Sequence, residues 1–253
     1  MIDSHAHLTG PELVKEADAI VLRATRAGVT HIVNICTDAS SLKEGIVLQT
    51  RFPNIVYNAA ATTPHDVENE GDSFFPIVEE AAETGQLVAI GETGLDYFYK
   101  YSPPQIQKHF LSLYMQLAQK IPLPLIFHCR EAFADLFAAA DREYKSPKAI
   151  LHCFTGTKEE AQGVLDRGWL LSLSGILTFK KSEALREIAR YVPLNHLLIE
   201  TDAPYLAPQK WRGQQNEPAY LDETAQCLAK VKGITVEEVK EQTAQNARLF
   251  FGF

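Results

Sequence analysis

The strongest constraint on this chain is a rhythm. Short apolar or β-branched runs return along nearly its whole length, each parted from the next by a longer stretch with helical spacing. Runs at 31–35, 54–57, 87–90, 123–127, 149–151, 169–173 and 196–199 read as strands, and the opening Met1-Ile2 brings the number to about eight. Segments such as 104–120 and 182–191 repeat apolar side chains at the period of a helix. Strand and helix in alternation imply a parallel sheet, because each helix carries the chain back to start the next strand. Eight such units in 253 residues suit a closed TIM-like (β/α)8 barrel, which typically takes about 250. No Gly-rich dinucleotide turn follows the first strand, so an open nucleotide-binding sheet is the weaker reading.

Composition enters where it excludes something. Hydrophobic residues at 46% supply a large core, and no Gly, Ser or Pro linker divides the chain, so residues 1–253 are expected to form one domain. A last helix is expected to open near Thr235-Val236-Glu237-Glu238 and dock on the barrel. The net charge of -8 argues against a protein that coats nucleic acid by basic surface alone. A phosphate-bearing substrate would need bound cations or a few placed Lys and Arg. Cys36, Cys129, Cys153 and Cys227 follow no framework spacing and read as reduced thiols of a cytoplasmic protein. The first residues lack a basic start and an apolar signal core, and no run reaches about 18 apolar residues, so neither secretion nor a membrane span is expected. No residue pattern calls for an obligate protein partner.

The chemistry-bearing residues fall at strand ends. His5-Ala6-His7 sets two imidazoles two residues apart, which alternation turns to one face. Glu92 closes the fourth strand and is followed by a Gly-containing loop, His128 closes the fifth, His152 the sixth, and Asp202 follows the eighth. Singly, each has an ordinary explanation as a core histidine or a loop charge. Together, at the C-terminal ends of barrel strands, they converge on the mouth where this fold places its active sites. Four imidazoles and two carboxylates there could hold two divalent cations, with a carboxylate bridging. Asp96 is expected either to orient a ligand or to cap its loop. Cys129 and Cys153, each next to a ligand histidine, are expected to face away from the mouth. The aromatic and basic run from Tyr97 to Tyr101, with Lys100 in it, and the cations Arg130, Lys180, Lys181, Lys210 and Arg212 are candidates to stack on bases and grip phosphate.

The motifs IDSHAHL, GETGLDY, HCREAF, LHCFTG, LSLSGILTFK, ETDAPYLAP and RGQQNEPAY, in order from Ile2 to the C-terminal QNAR, resemble the TatD family of metal-dependent nucleases. The resemblance implies a TIM-like barrel and metal-dependent hydrolysis of DNA, often from the 3′ end of a single strand. It implies that His5, His7 and Asp202 bind one metal ion, that His128 and His152 bind a second, and that Glu92 bridges where related hydrolases use a carboxylated lysine. Mg²⁺, Mn²⁺ and Zn²⁺ are all compatible, and Asp202 is the expected proton acceptor in an attack by activated water. Two positions depart from the family pattern: Thr63 replaces the first histidine after strand three, and Trp211 replaces the histidine before Arg212-Gly213. A Trp can stack on a base but cannot bind metal or carry a proton. Two rival functions use the same residues, an amidohydrolase acting on a small amide or ester, and a metal-dependent binding protein without turnover.

Overall fold

The computed structural model describes residues 1–145 and 148–253. Strands β1 (Ile2–Ala6), β2 (His31–Cys36), β3 (Val56–Ala60), β4 (Ala89–Asp96), β5 (Leu125–Arg130), β6 (Ala149–Leu151), β7 (Leu170–Leu173) and β8 (Leu197–Ile199) form one parallel sheet in sequence order. Helices α1 (Ala17–Arg26), α2 (Ala39–Arg51), α3 (Val67–Glu83), α4 (Pro104–Lys120), α5 (Phe133–Glu143), α6 (Lys158–Asp166), α7 (Glu183–Tyr191) and α8 (Leu221–Lys232) follow the strands in turn. This is the expected (β/α)8 barrel. It closes at its C-terminal end through the backbone of the residues that matter most. The Asp202 N–H donates to the His5 carbonyl at 2.9 Å and the His7 N–H to the Ala203 carbonyl at 2.7 Å.

Strands buried on both faces need apolar side chains on both, and β2 shows how they divide. Ile32 and Cys36 pack outward against the helices, while Val33 and Ile35 point into the barrel with Ile2, Ala59, Ile126, Ile150 and Leu198. The floor of that inner core is sealed by α9 (Val236–Phe251), through Ala244, Ala247, Phe250 and Phe251. Its start is the expected one. The Thr235 hydroxyl accepts from the Glu238 N–H at 3.2 Å, and the Glu238 carboxylate accepts from the Thr235 N–H at 2.8 Å. Gly252, at φ 84°, lets the helix end in a left-handed turn before Phe253 stacks on Tyr57 and His31.

Two strands carry an extra residue at the site. Asp3 pairs with Ile32 and Ala6 with Asn34; likewise Ile90 pairs with Leu125 and Thr93 with Phe127. Each pairing inserts one residue into β1 or β4, beside His5 and Glu92. Such bulges bend a strand and re-aim its side chains. Here the structure corrects an expectation: Glu92 does not end its strand, because pairing resumes beyond the bulge and β4 runs on to Asp96. Gly94 makes that possible. A Cβ there would lie 1.9 Å from the His128 carbonyl oxygen, so only glycine lets β4 and β5 approach at this point.

Candidate metal centre

The six ligand candidates meet in the barrel mouth, in two sets that share Glu92. In the first, His5 Nε2 and His7 Nε2 are 3.2 Å apart and lie 3.6 and 3.4 Å from Asp202 Oδ1. Glu92 Oε2 completes the set at 3.3 and 3.7 Å from the two imidazoles. In the second, His128 Nδ1 and His152 Nε2 are 3.3 Å apart and lie 2.8 and 2.9 Å from Glu92 Oε1. Each carboxylate oxygen of Glu92 thus serves one set.

Nitrogens this close either share a proton, one ring donating to the other, or turn both lone pairs to one cation. Metal–ligand bonds of about 2.05 Å put tetrahedral donors roughly 3.3 Å apart, near the spacings found, so the donor set fits divalent cations. Both carboxylates are held in the ionised form that a cation ligand needs. Burial alone would raise the Glu92 carboxyl, yet His152, His128 and His5 hold it well below the usual carboxylate range. Burial likewise opposes ionisation of Asp202, and His7 and His5 overcome it. His152 is pushed well above its ordinary value against burial, by Glu92 and Glu200.

Asp96 serves both expected ends at once. Its Oδ1 accepts from the Phe98 and Tyr99 N–H groups at 2.9 Å each, capping the loop, while Oδ2 lies 2.9 Å from His128 Nε2. Gln107 of α4 holds the Asp96 backbone from both sides, at 2.8 and 3.0 Å. Sequence reasoning did not single out Gln107, Glu200, His65 or Tyr205. His65 Nε2 stands 3.7 Å from Asp96 Oδ2, and Tyr205 meets the edge of His7 with ring centroids 5.9 Å apart. The signals for two of these were adjacent: His65 follows Pro64 just past β3, and Glu200 is two residues before Asp202.

A cavity of about 980 Å³ opens over the centre, bordered by Thr63, His65, Tyr99, Tyr101, Arg130 and Tyr205 as well as five of the six ligand candidates, His5 lying beneath it. Arg130 lies on this wall with its guanidinium 3.8 Å from the centroid of Phe98. The other substrate candidates are placed elsewhere. Tyr97 packs inward and donates its hydroxyl to Asp135 at 2.7 Å. Lys100 is exposed on its loop at φ 56°, and Lys180 is exposed with its backbone N–H on Gln209. Trp211 stacks on Tyr220 at 4.4 Å, and Arg212 lies over the Phe179 ring at 4.2 Å. Thr63 is on the cavity wall and donates to Asp66 at 2.9 Å.

The cysteine expectation needs correction. Cys129 does pack toward the outer core, though it also borders the cavity, but Cys153 faces the mouth. Strict alternation does not reach it: β6 ends at Leu151, and Cys153 turns the chain at φ 45° and sets its thiol 3.3 Å from the Ser174 hydroxyl.

A parallel barrel with this mouth belongs to a metal-dependent hydrolase, and its relatives make it one that acts on ester bonds. The family model for TatD related DNase matches residues 2–252, and the chain belongs to that family. It is 37% identical over 260 residues to the metal-dependent hydrolase YcfH of Escherichia coli strain K12, covering 99% of this chain and 95% of that one. It is 36% identical over 259 residues to the 3′-5′ ssDNA/RNA exonuclease TatD of Citrobacter rodentium, covering 100% and 98%. Among solved structures, YJJV, a TatD homologue from Escherichia coli K12, superposes with a TM-score of 0.93 at 26% identity, covering 100% of this chain and 98% of that chain.

Proposed function

We propose that the whole chain, residues 1–253, works as one hydrolase domain that cleaves the phosphodiester bonds of DNA, as a 3′-5′ exonuclease on single strands or frayed 3′ ends. The observation that carries this is the division of Glu92, with one oxygen toward His5 and His7 and the other toward His128 and His152. That arrangement supports two divalent cations per chain. His5, His7 and Asp202 would hold one, His128 and His152 the other, and Glu92 both. Bound there, cations lower the pKa of water and offset negative charge on a phosphoryl oxygen. Four imidazoles favour Mn²⁺ or Zn²⁺ over Mg²⁺.

The protein's own groups do the rest. Asp202, an ionised carboxylate, would accept the proton released as water attacks phosphorus and return it to the 3′ oxygen as the bond from phosphorus to that oxygen breaks. Asp96 fixes the ring of His128 through Nε2. Tyr99 and Tyr101 stack on one another at 5.3 Å on the cavity wall and remain 44% and 64% exposed, a surface on which bases can lie. Arg130 beside them is the cation best placed to meet a phosphate. The four unpaired thiols suit a cytoplasmic setting, and no helix among the described residues is long and apolar enough to cross a membrane.

An end-labelled oligonucleotide, single- or double-stranded, incubated with Mg²⁺, Mn²⁺ or Zn²⁺ tests the reading. Stepwise release of mononucleotides from the 3′ end is expected. Hydrolysis of small amides or esters with no attack on DNA would overturn it, as would DNA binding without turnover.

A further inference from the structure

His5 and His152 stack face to face, with ring centroids 4.0 Å apart and planes 7° apart. Both direct Nε2 to Glu92, at 3.3 and 2.9 Å. The remaining nitrogen of each, Nδ1, is sealed from solvent and has no hydrogen-bond partner among the described residues. Glu200 is fully buried beside them. One nitrogen from each ring and a Glu200 oxygen lie within 4.8 Å of one another, and His152 Nδ1 is 3.6 Å from Glu200 Oε1. A buried polar atom without a partner is unfavourable, so two of them on stacked rings, one lying 3.6 Å from a buried carboxylate, point to a ligand that joins the three groups.

The chemistry of the rings identifies that ligand. An imidazole whose Nε2 lone pair faces a cation carries its proton on Nδ1, which makes each Nδ1 a donor in need of an acceptor. Glu200 is an acceptor held rigidly: Oε1 takes the Cys153 N–H at 2.7 Å, and Oε2 takes the Ser172 hydroxyl. A gap of 3.6 Å is just too long for a direct hydrogen bond, and a water lying to one side of it can reach both atoms. We propose that Glu200 is a positioning residue for the cation centre. One buried water accepts the Nδ1–H groups of His5 and His152 and donates to Glu200 Oε1, which fixes both tautomers and turns both Nε2 lone pairs toward the cations. This rests on the reading that His5 and His152 are ligands, one in each set. A cation in the same place would require both rings to surrender a second proton, so water is the better occupant.

The test uses the full chain with Zn²⁺ as probe. Calorimetric titration compares the wild type with Glu200→Gln, and ¹⁵N NMR of the Zn²⁺-loaded wild type reads the histidine tautomers. Expected are Nδ1–H tautomers for His5 and His152 and Zn²⁺ binding weaker by about 10–100-fold in Glu200→Gln. A wild type that takes up no divalent cation overturns the parent reading. Zn²⁺ uptake with Nε2–H tautomers, or with equal affinity in Glu200→Gln, overturns the role of Glu200 alone. If that variant fails to fold, a high-resolution crystal structure of the wild type decides: an ordered water touching the three atoms supports the proposal, and an anomalous scatterer or empty density there overturns it.

Discussion

Glu92 is the one side chain that both sets of ligand candidates share. Its two oxygens are within 3.7 Å of four imidazoles, two of them buried and two half-buried, and its charge offsets theirs when they are protonated. Replacing it with Gln keeps the shape and removes the charge, so cation stoichiometry is expected to fall below two, with kcat down by roughly 10²–10³. Equilibrium dialysis of Glu92→Gln checks the first part and initial rates the second. Asp202→Asn under saturating metal is expected to lose roughly 10²–10⁴ in kcat, the usual share of a general base, and retained turnover would remove that role. Tyr101 is more exposed than any other ring on the cavity wall and touches no proposed ligand set. Tyr101→Ala should raise KM for single strands by about 10-fold with little change in kcat, in line with ~1–3 kcal/mol per stacked base.

Among the elements, β1 and β4 carry the bulges, and these explain what the sequence could and could not announce. The ligand candidates were legible because His, Glu and Asp interrupt apolar runs at their C-terminal ends. The course of β4 beyond Ile90 was not, since Gly91-Glu92-Thr93-Gly94 has the composition of a loop and pairs only because β5 accepts a one-residue insertion. The strand expected at 54–57 starts later, at Val56, because Asn54 adopts φ 62° and ends a turn. Cys153 was misplaced for a related reason, as alternation holds only while the strand lasts. Glu200 was invisible because a Glu beside Thr201-Asp202 looks like one more loop charge until the fold buries it completely. The close approach at Gly94 yields a prediction at this scale. Gly94→Ala must push the His128 carbonyl aside, and it should lower both Tm and cation affinity, whereas an exposed Gly→Ala such as Gly28→Ala, with nothing near its Cβ, should affect stability alone.

For the molecule as a whole, the two ends of the barrel divide the labour: the mouth gathers charge, and the floor is closed by α9 and the aromatic stack of His31, Tyr57 and Phe253. His31 is lowered below its ordinary value, by burial first and then by Arg248 and the N-terminal ammonium. Because the folded state resists protonation more than the unfolded one, this histidine's contribution is fully present above about pH 6.5 and is lost as pH falls through its folded value. His31→Phe keeps the stack and removes the titration. Between pH 8 and pH 5, its Tm should therefore fall by less than that of the wild type, and an identical fall would refute the point. At the other end, crystals loaded with Mn²⁺ or Zn²⁺ and measured at the metal's absorption edge test whether Glu92 joins two cations. Two anomalous peaks are expected, one beside His5, His7 and Asp202 and one beside His128 and His152, with Glu92 touching both. A single peak, or peaks remote from Glu92, would contradict it.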